Sequence, residues 1–189
     1  MPVIIPPIKS QGIKTKLLPW INDLILTSGI SLNASWIEPF FGTGAVGFNS
    51  PVNGIHIVGD TNPHIINFYR QVQSGIITPY TMRTYLERES KLLEMADEDG
   101  YAYYRLVRDR FNQDHSPYDF IFLSRAGFNG MMRFNRRGDW NIPFCKKPGR
   151  FAPAYITKIC NQIGSVAQVI NKKAWSFNNV SFLETIAQA

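Results

Sequence analysis

A glycine-rich turn after a hydrophobic run carries the side chains of this sequence best suited to chemistry. The turn and its approach supply Glu38, Phe40, Phe41, Gly42, Gly44 and Gly47. Asp60 ends a second apolar run, "GIHIVGD", 18 residues after the first of the three glycines. A G-x-G-x-x-G turn after a strand, followed by an acid about 20 residues later, is typical of a loop that holds a nucleoside cofactor.

The pattern alone permits a nicotinamide dinucleotide, but its surroundings favour another ligand. A carboxylate at Glu38 is unfavourable beside a pyrophosphate and matches a cationic ligand, and the two phenylalanines give the turn an aromatic wall. S-adenosylmethionine has no phosphate, carries an ammonium and a sulfonium, and offers a ribose diol to Asp60. It therefore fits these features better than NAD does.

Positive charge is concentrated in one part of the 189-residue chain. Between Arg125 and Arg150 there are seven Lys or Arg residues and one acid, Asp139, while the rest of the chain has 13 of each sign, so this stretch carries the whole net charge of +6. We call residues 125–150 the basic segment. Such a concentration indicates a polyanionic partner, most simply nucleic acid, although a solvated basic loop is the plain alternative.

Composition restricts the class of protein. Apolar residues make up 44% of the chain, as expected for one packed domain or one domain with an insertion. No run approaches the length of a membrane span and the N-terminus lacks a basic leader, so we expect a soluble cytoplasmic protein. Two cysteines without zinc spacing and three scattered histidines predict reduced thiols and no metal site.

Local patterns predict an open α/β sheet with a helical, basic insertion. Strands are expected at residues 36–42, 54–60 and 174–182, the first two joined by a short helix in a βαβ unit. Helices are predicted at 64–74, 78–96, 101–112 and after Pro153, where Ile156, Ile159, Ile163, Val166 and Ile170 share one face. The basic segment suits loops or a β-hairpin around "RRGD".

Four ordered motifs resemble the Dam-like class of adenine-specific DNA methyltransferases. They are "PPIKSQGIKTKLLPWI", "EPFFGTGAVGFN" with the following "IVGDTNPHIINFY", "RAGFNGMMRFNRRGDWNIPF" and "FNNVSF". The resemblance runs from about residue 6 to residue 182. It implies a Rossmann-like S-adenosylmethionine-dependent methyltransferase core at 1–75 and 153–189, a target-recognition insertion at 76–152, and a bacterial or phage origin.

The resemblance also implies roles for individual residues. The expected cofactor contacts are Ser10, Lys14, Glu38, Phe40, Gly42, Gly44, Asp60, Ser181 and Phe182. Base-edge contacts to a GATC-like site are expected from Lys9 and Arg133, and Phe128 is placed to wedge into the base stack. Contacts that position the duplex are expected from Arg125, Asn129, Arg136, Arg137, Lys146 and Lys147.

One motif of that class is missing. An Asp, Asn or Ser followed by Pro-Pro and an aromatic orients the target adenine, and the one Pro-Pro here, Pro6-Pro7, has neither neighbour. The chain is therefore a truncated product, a split enzyme completed by a second chain, or a non-catalytic DNA-binding remnant, and it is expected to expose apolar sheet surface. A nicotinamide-dependent oxidoreductase is the remaining alternative.

Overall fold

Three short parallel strands form the sheet. A computed structural model describes residues 3–96 and 100–188. Strands β1 (Trp36–Glu38), β2 (His56–Gly59) and β3 (Trp175–Asn178) lie side by side in the order β1-β2-β3. Both pairs are parallel, with Ile37 opposite Ile57 and Val58 opposite Phe177. Because parallel neighbours need crossover connections, the observed architecture is mixed α/β, as predicted.

Seven α-helices surround this sheet within the described ranges. They are α1 (Leu18–Thr27), α2 (Pro63–Gln73), α3 (Pro79–Ala96), α4 (Tyr101–Asp114), α5 (Pro117–Ala126), α6 (Pro153–Lys172) and α7 (Phe182–Ile186). Short 3₁₀ turns occupy Lys14–Leu17, Gly47–Asn49, Phe128–Gly130 and Pro148–Phe151. The helices predicted at 64–74, 78–96 and 101–112 are confirmed to within two residues at each end, and the helix after Pro153 is confirmed as well.

Helix α2 begins at Pro63, directly after the N-cap residue Asn62. The side chain of Asn62 accepts the backbone N–H groups of His64 and Ile65, and Pro63 occupies the first turn, where a missing N–H costs nothing. The helix then binds the free edge of β3, because Arg70 and Gln73 donate to the carbonyls of Phe177 and Trp175. This packing fixes α2 behind the carboxyl end of β2.

The core is one cluster of buried apolar residues contributed by helices α2 to α6 and by strands β2 and β3. All five apolar residues predicted for one face of α6 are buried there. Beneath the strands, the rings of Phe41, Phe48, Tyr69 and Trp175 pack on one another, with centroids 5.0–6.4 Å apart. Aromatic clusters of this kind bury a large apolar area and therefore hold the turn after β1 against α2.

Three local predictions were wrong. Strand β1 ends at Glu38, four residues before the expected end at Gly42. The connection after the glycine turn is the three-residue 3₁₀ turn Gly47–Asn49 and not an α-helix. Strand β3 ends at Asn178, because Ser181 starts α7 through a capping box: its side chain accepts the N–H of Glu184, whose carboxylate accepts the N–H of Ser181. The spacing Ser-x-x-Glu in "SFLE" is a helix-start signal.

Helices α1 and α5 were not predicted from the sequence. Helix α5 buries Phe120, Ile121, Phe122 and Leu123, so it is apolar all round and lacks the periodic stripe of a surface helix. Helix α1 buries Leu18 alone and exposes Trp20 and Leu24, so its pattern also lacks a clear inward face. No helix among the described residues is long and apolar enough to cross a membrane.

Candidate functional site

In the glycine loop, residues 39–47, two positions have a backbone conformation that favours glycine. Gly42 and Gly44 have φ values of +54° and +79°, a region that other residues rarely adopt. A Cβ at Gly44 would lie 2.4 Å from Cε2 of Phe48, whereas a Cβ at Gly42 would meet nothing within 4 Å. Gly44 therefore allows the loop to pack on the core, and Gly42 faces open space.

Asp60 connects the loop to the end of β2. Its Oδ2 accepts the N–H of Gly42 at 2.7 Å, and its Oδ1 accepts the N–H of Asn62 at 2.8 Å. The hydroxyl of Tyr69 donates to the carbonyl of Thr43 at 2.6 Å from the buried side of the loop. The contacts from Asp60 and Tyr69 therefore hold the loop from both sides.

Glu38 places a largely buried carboxylate at the end of β1. Its Oε2 accepts the indole N–H of Trp36 at 3.0 Å, and the backbone N–H of Gly47 also donates to this carboxylate. Burial raises the pKa of Glu38 to about 7, against the lowering effect of these hydrogen bonds, and the nearby charge of Asp60 raises it further. A Cβ at Gly47 would lie 2.6 Å from Oε2, so only glycine leaves room for the carboxylate.

Phe40 and Phe182 meet beside the loop. Their rings stack with centroids 5.3 Å apart and an interplanar angle of 21°, and both are exposed, Phe40 by 72%. The expected wall of Phe40 and Phe41 is wrong for Phe41, which is buried in the core, whereas Phe40 is exposed and meets Phe182 of α7. Ser181, also expected at the cofactor, is engaged in the capping box of α7.

The N-terminal segment reaches the loop through Asn49, a residue not singled out from the sequence. The side chain of Asn49 accepts the N–H of Ile4 at 2.8 Å and donates to the carbonyls of Ile4 and Ala45 at 2.8 Å each.

Two expected cofactor contacts lie further along the N-terminal segment. Lys14 donates to the carbonyl of Gly12, and Ser10 donates to the carbonyl of Gln11. These local bonds leave both side chains near the surface.

A tight turn organises the middle of the basic segment. Asn135 accepts the N–H groups of Arg137 and Asp139 with its side-chain oxygen, and donates its amide to the carboxylate of Asp139 at 2.9 Å. Gly138 supplies the positive φ of +86° that the turn needs, and Phe134 forms an antiparallel bridge with Trp140. The predicted hairpin around "RRGD" is therefore present as a short turn with isolated bridges.

The turn is anchored to α4 by a buried tryptophan. Trp140 donates its backbone N–H to the side chain of Asn112 at 2.7 Å, and the amide of Asn112 donates back to the carbonyl of Trp140. The indole N–H of Trp140 donates to the hydroxyl of Tyr104, which in turn donates to the carbonyl of Ile142. Helix α4 thus fixes the position of the exposed cations on the turn.

The predicted nucleic-acid contacts lie mainly on the exposed side of this segment. Arg136, Arg137 and Lys146 are exposed, as are Phe128 and Asn129, of which Asn129 has a positive φ of 52°. Arg133 is exposed and holds Asn141 across the turn, with Nε 2.9 Å from the side-chain oxygen. Its Nη2 also donates to the carbonyl of Asn141 at 3.2 Å, so Asn141 engages the guanidinium while the residue stays exposed.

Lys9 and Arg125 are placed differently. The stem of Lys9 crosses Gly130 so closely that a Cβ there would lie 2.8 Å from Cε of Lys9. Arg125, expected at a DNA backbone, is largely buried and donates one terminal nitrogen to the carbonyl of Pro7 and to Oε1 of Gln162. Arg125 therefore holds the N-terminal segment on α6, and Lys9 lies between that segment and the 3₁₀ turn Phe128–Gly130.

Together, fold and site define an α/β protein with a glycine loop held by its own hydrogen bonds and a separate basic surface anchored on α4. A family model for D12 class N6 adenine-specific DNA methyltransferases matches residues 10–189. The chain belongs to that family, which confirms the resemblance to Dam-like enzymes.

Proteins named DNA adenine methylase in several bacteria are similar to this chain. The chain is 34% identical to a DNA adenine methylase of Haemophilus influenzae over 151 residues, 72% of this chain and 50% of that protein. It is 32% identical to the DNA adenine methylase of Escherichia coli over 125 residues, 63% of this chain and 40% of that protein. For the Vibrio cholerae protein the identity is 31% over 118 residues, 59% and 40% of the two chains. The matched region is half or less of each relative's length.

Proposed function

We propose that this chain supplies the methyl-donor site and the DNA-recognition surface of a site-specific DNA adenine N6-methyltransferase. The donor is S-adenosylmethionine, the substrate is adenine in duplex DNA, and the target is a GATC-like site. In this proposal residues 1–75 and 153–189 belong to a Rossmann-like core, and residues 76–152 form the basic recognition insertion. The family match and the named relatives support the reaction.

One observation carries the choice of cofactor: the buried carboxylate of Glu38 beside a preformed glycine loop. A dinucleotide places its pyrophosphate on free loop amides at the N-terminus of a helix. Here the N–H of Gly42 is taken by Asp60, and the loop continues into a three-residue 3₁₀ turn. These features oppose a pyrophosphate and suit a ligand that is cationic and free of phosphate.

The residues present fit S-adenosylmethionine, which supplies an activated methyl group when bound. Glu38, once ionised, pairs with the ammonium or sulfonium side of the ligand. Each carboxylate oxygen of Asp60 accepts one backbone N–H, from Gly42 of the loop and from Asn62 before α2. Both oxygens retain lone pairs for the ribose hydroxyls. The exposed rings of Phe40 and Phe182 offer stacking surface for the adenine. Gly42 leaves open space where a side chain would obstruct the ligand.

On the nucleic-acid side, Lys9 and Arg133 contact base edges, and Arg136, Arg137 and Lys146 contact phosphates. Phe128, exposed at the start of a 3₁₀ turn, enters the base stack when the adenine leaves it. No residue of this sequence is assigned to orient the exocyclic amine, because the Pro-Pro-aromatic motif is absent from it. We propose that this motif comes from a continuation or from a second chain.

Calorimetric titration of the chain with S-adenosylmethionine, S-adenosylhomocysteine and NADH tests the cofactor assignment. The proposal predicts binding of the first two in a ratio of about one to one and no heat with NADH. Binding of NADH alone would support an oxidoreductase. Duplex DNA binding without either methyl-donor ligand would support the alternative, a DNA-binding remnant that has lost the cofactor.

A further inference from the structure

A cavity of about 450 Å³ lies between the N-terminal segment, the end of α5 and the start of α6. Its wall is made largely of cationic side chains. They are Lys9, Arg125, Lys147, Arg150 and Lys158. Tyr155 and Ile159 of α6 also line it, and no carboxylate does within the part of the chain that the structure describes. We refer to it as the basic cavity.

Among the described residues, no ion pair links a cation of the basic cavity to a carboxylate. The ion pairs found among the described residues all involve other arginines. The Nε atoms of Arg125 and Arg150 are buried, and neither has a hydrogen-bond acceptor in the described ranges. An unsatisfied buried donor costs about 1–3 kcal/mol, and more when it is charged. Both arginines line the cavity, and Pro7 and Gln162 satisfy the guanidinium of Arg125 only in part, so a bound anion would supply further acceptors.

The cations also repel one another. Burial lowers the pKa of Lys9, and the charges of Arg150, Arg125 and Lys147 lower it further. Burial lowers the pKa of Arg125 to about 10, against a raising effect from Tyr69, and the charge of Arg150 adds to the lowering. Since like charges gathered in a concave wall strengthen one another's field, a bound anion relieves this repulsion.

The position of the cavity indicates which anion it takes. Lys9 joins it to the recognition surface, because the stem of Lys9 crosses Gly130 next to Phe128. The opposite rim is open to solvent: Lys147 and Lys158 are exposed, and Tyr155 is 57% exposed. An open rim admits one phosphate of a continuous strand, whereas a small free anion is usually enclosed.

We propose that the basic cavity binds one backbone phosphate of the DNA, with Arg150 and Lys158 as contacts outside those predicted from the sequence. This inference rests on the DNA-binding part of the proposed function. The contact is independent of base sequence, because only the phosphate enters. It fixes the duplex relative to Lys9. Base selection is left to the 3₁₀ turn Phe128–Gly130 and to the tight turn around Gly138.

Fluorescence anisotropy with a labelled duplex at several salt concentrations tests the inference. Lys158→Ala is expected to weaken binding roughly threefold to tenfold for any duplex, and to reduce the slope of log affinity against log salt by about one. The matched control is Lys172→Ala, an exposed lysine of the same helix about 21 Å further along its axis, given a rise of 1.5 Å per residue. The double variant Arg150→Ala/Lys158→Ala should lose more.

Each outcome decides a separate point. Equal DNA binding by wild type, Lys158→Ala and Lys172→Ala would overturn the inference and leave the proposed function intact. Failure of wild type to bind DNA would overturn both. If inorganic pyrophosphate raises the melting temperature of wild type but not of the double variant, while both bind DNA equally, the occupant is a free anion and the DNA assignment fails.

Discussion

At the scale of single residues, the chemistry of the proposed cofactor site depends on Glu38. This carboxylate has the indole N–H of Trp36 and the backbone of Gly47 as partners, yet burial still raises its pKa to about 7. The side chain is thus held in place without being fully ionised at neutral pH. A buried acid with a raised pKa is common at functional sites, which agrees with the proposed cationic ligand.

Glu38→Gln is expected to separate binding from stability. An amide oxygen can still accept from Trp36, but the charge is gone, so the affinity for S-adenosylmethionine should fall about tenfold or more, the range of a charge-assisted hydrogen bond. Calorimetry measures this loss. The matched control is Glu94→Gln, an exposed glutamate of α3, which should bind normally.

The stability of that variant follows from the sign of the pKa shift. Because the folded pKa of Glu38 lies above its unfolded value of 4.5, ionisation makes the free energy of unfolding fall as pH rises from about 4.5 to 7. At pH 8, without ligand, Glu38→Gln should therefore melt no lower than wild type. A lower melting temperature together with normal binding would assign Glu38 a structural role only.

The same group predicts a pH dependence for wild type. With a pKa near 7, the ionised form of Glu38 decreases from about three quarters at pH 7.5 to about a tenth at pH 6. The affinity for S-adenosylmethionine should then fall roughly fivefold to tenfold over that interval, and Glu38→Gln should show a flat profile. A wild-type profile that is equally flat would exclude Glu38 as the cation's partner.

At the scale of elements, helix α4 positions the tight turn around Gly138 in the basic segment. Asn112 holds both the N–H and the carbonyl of Trp140, and Tyr104 holds its indole. Helix α4 therefore fixes the position of the turn that carries the exposed Arg136 and Arg137.

Asn112→Ala is expected to weaken DNA binding by about threefold to thirtyfold while leaving S-adenosylmethionine binding unchanged. The substitution leaves the N–H of Trp140 without its acceptor, which costs about 1–3 kcal/mol, so the turn loosens. Anisotropy and calorimetry on the same preparation measure the two affinities. Gln113→Ala, at the next and exposed position of α4, serves as control, and equal loss of both ligands would indicate general unfolding instead.

The elements also show what the sequence could predict. Helices with a periodic apolar face, such as α6, were predicted correctly because one buried stripe opposes a polar one. Helix α5 was missed, since burial on all sides removes that contrast. The capping box of Ser181 and Glu184 was a readable signal overlooked in favour of a continued strand.

The sequence also predicted one part of the candidate site and missed another. Glycine spacing and the acid at residue 60 indicated the loop, but the hydrogen bond between Asp60 and Gly42 depends on how β1 and β2 pair. Asn49 and Arg125 illustrate the limit, because both act through carbonyls of the N-terminal segment, 45 and 118 residues away. Contacts over such separations are set by tertiary packing and leave no local pattern.

At the scale of the whole molecule, the two proposed ligand sites occupy separate elements. The loop after β1, Asp60 and α7 contribute to the methyl-donor site, whereas the basic segment, anchored on α4, contributes to the DNA surface. Lys9 connects them, since the N-terminal segment contacts the loop through Asn49 and the recognition surface through Gly130. The proposal therefore predicts that both ligands can bind at once.

The most direct test is a calorimetric titration of S-adenosylhomocysteine into the chain already saturated with a duplex that contains GATC. The account predicts binding in a ratio of about one to one, with an affinity at least equal to that measured without DNA. Absence of S-adenosylhomocysteine binding in the presence of DNA, after normal binding in its absence, would mean that both ligands compete for one site, and it would contradict the arrangement proposed here.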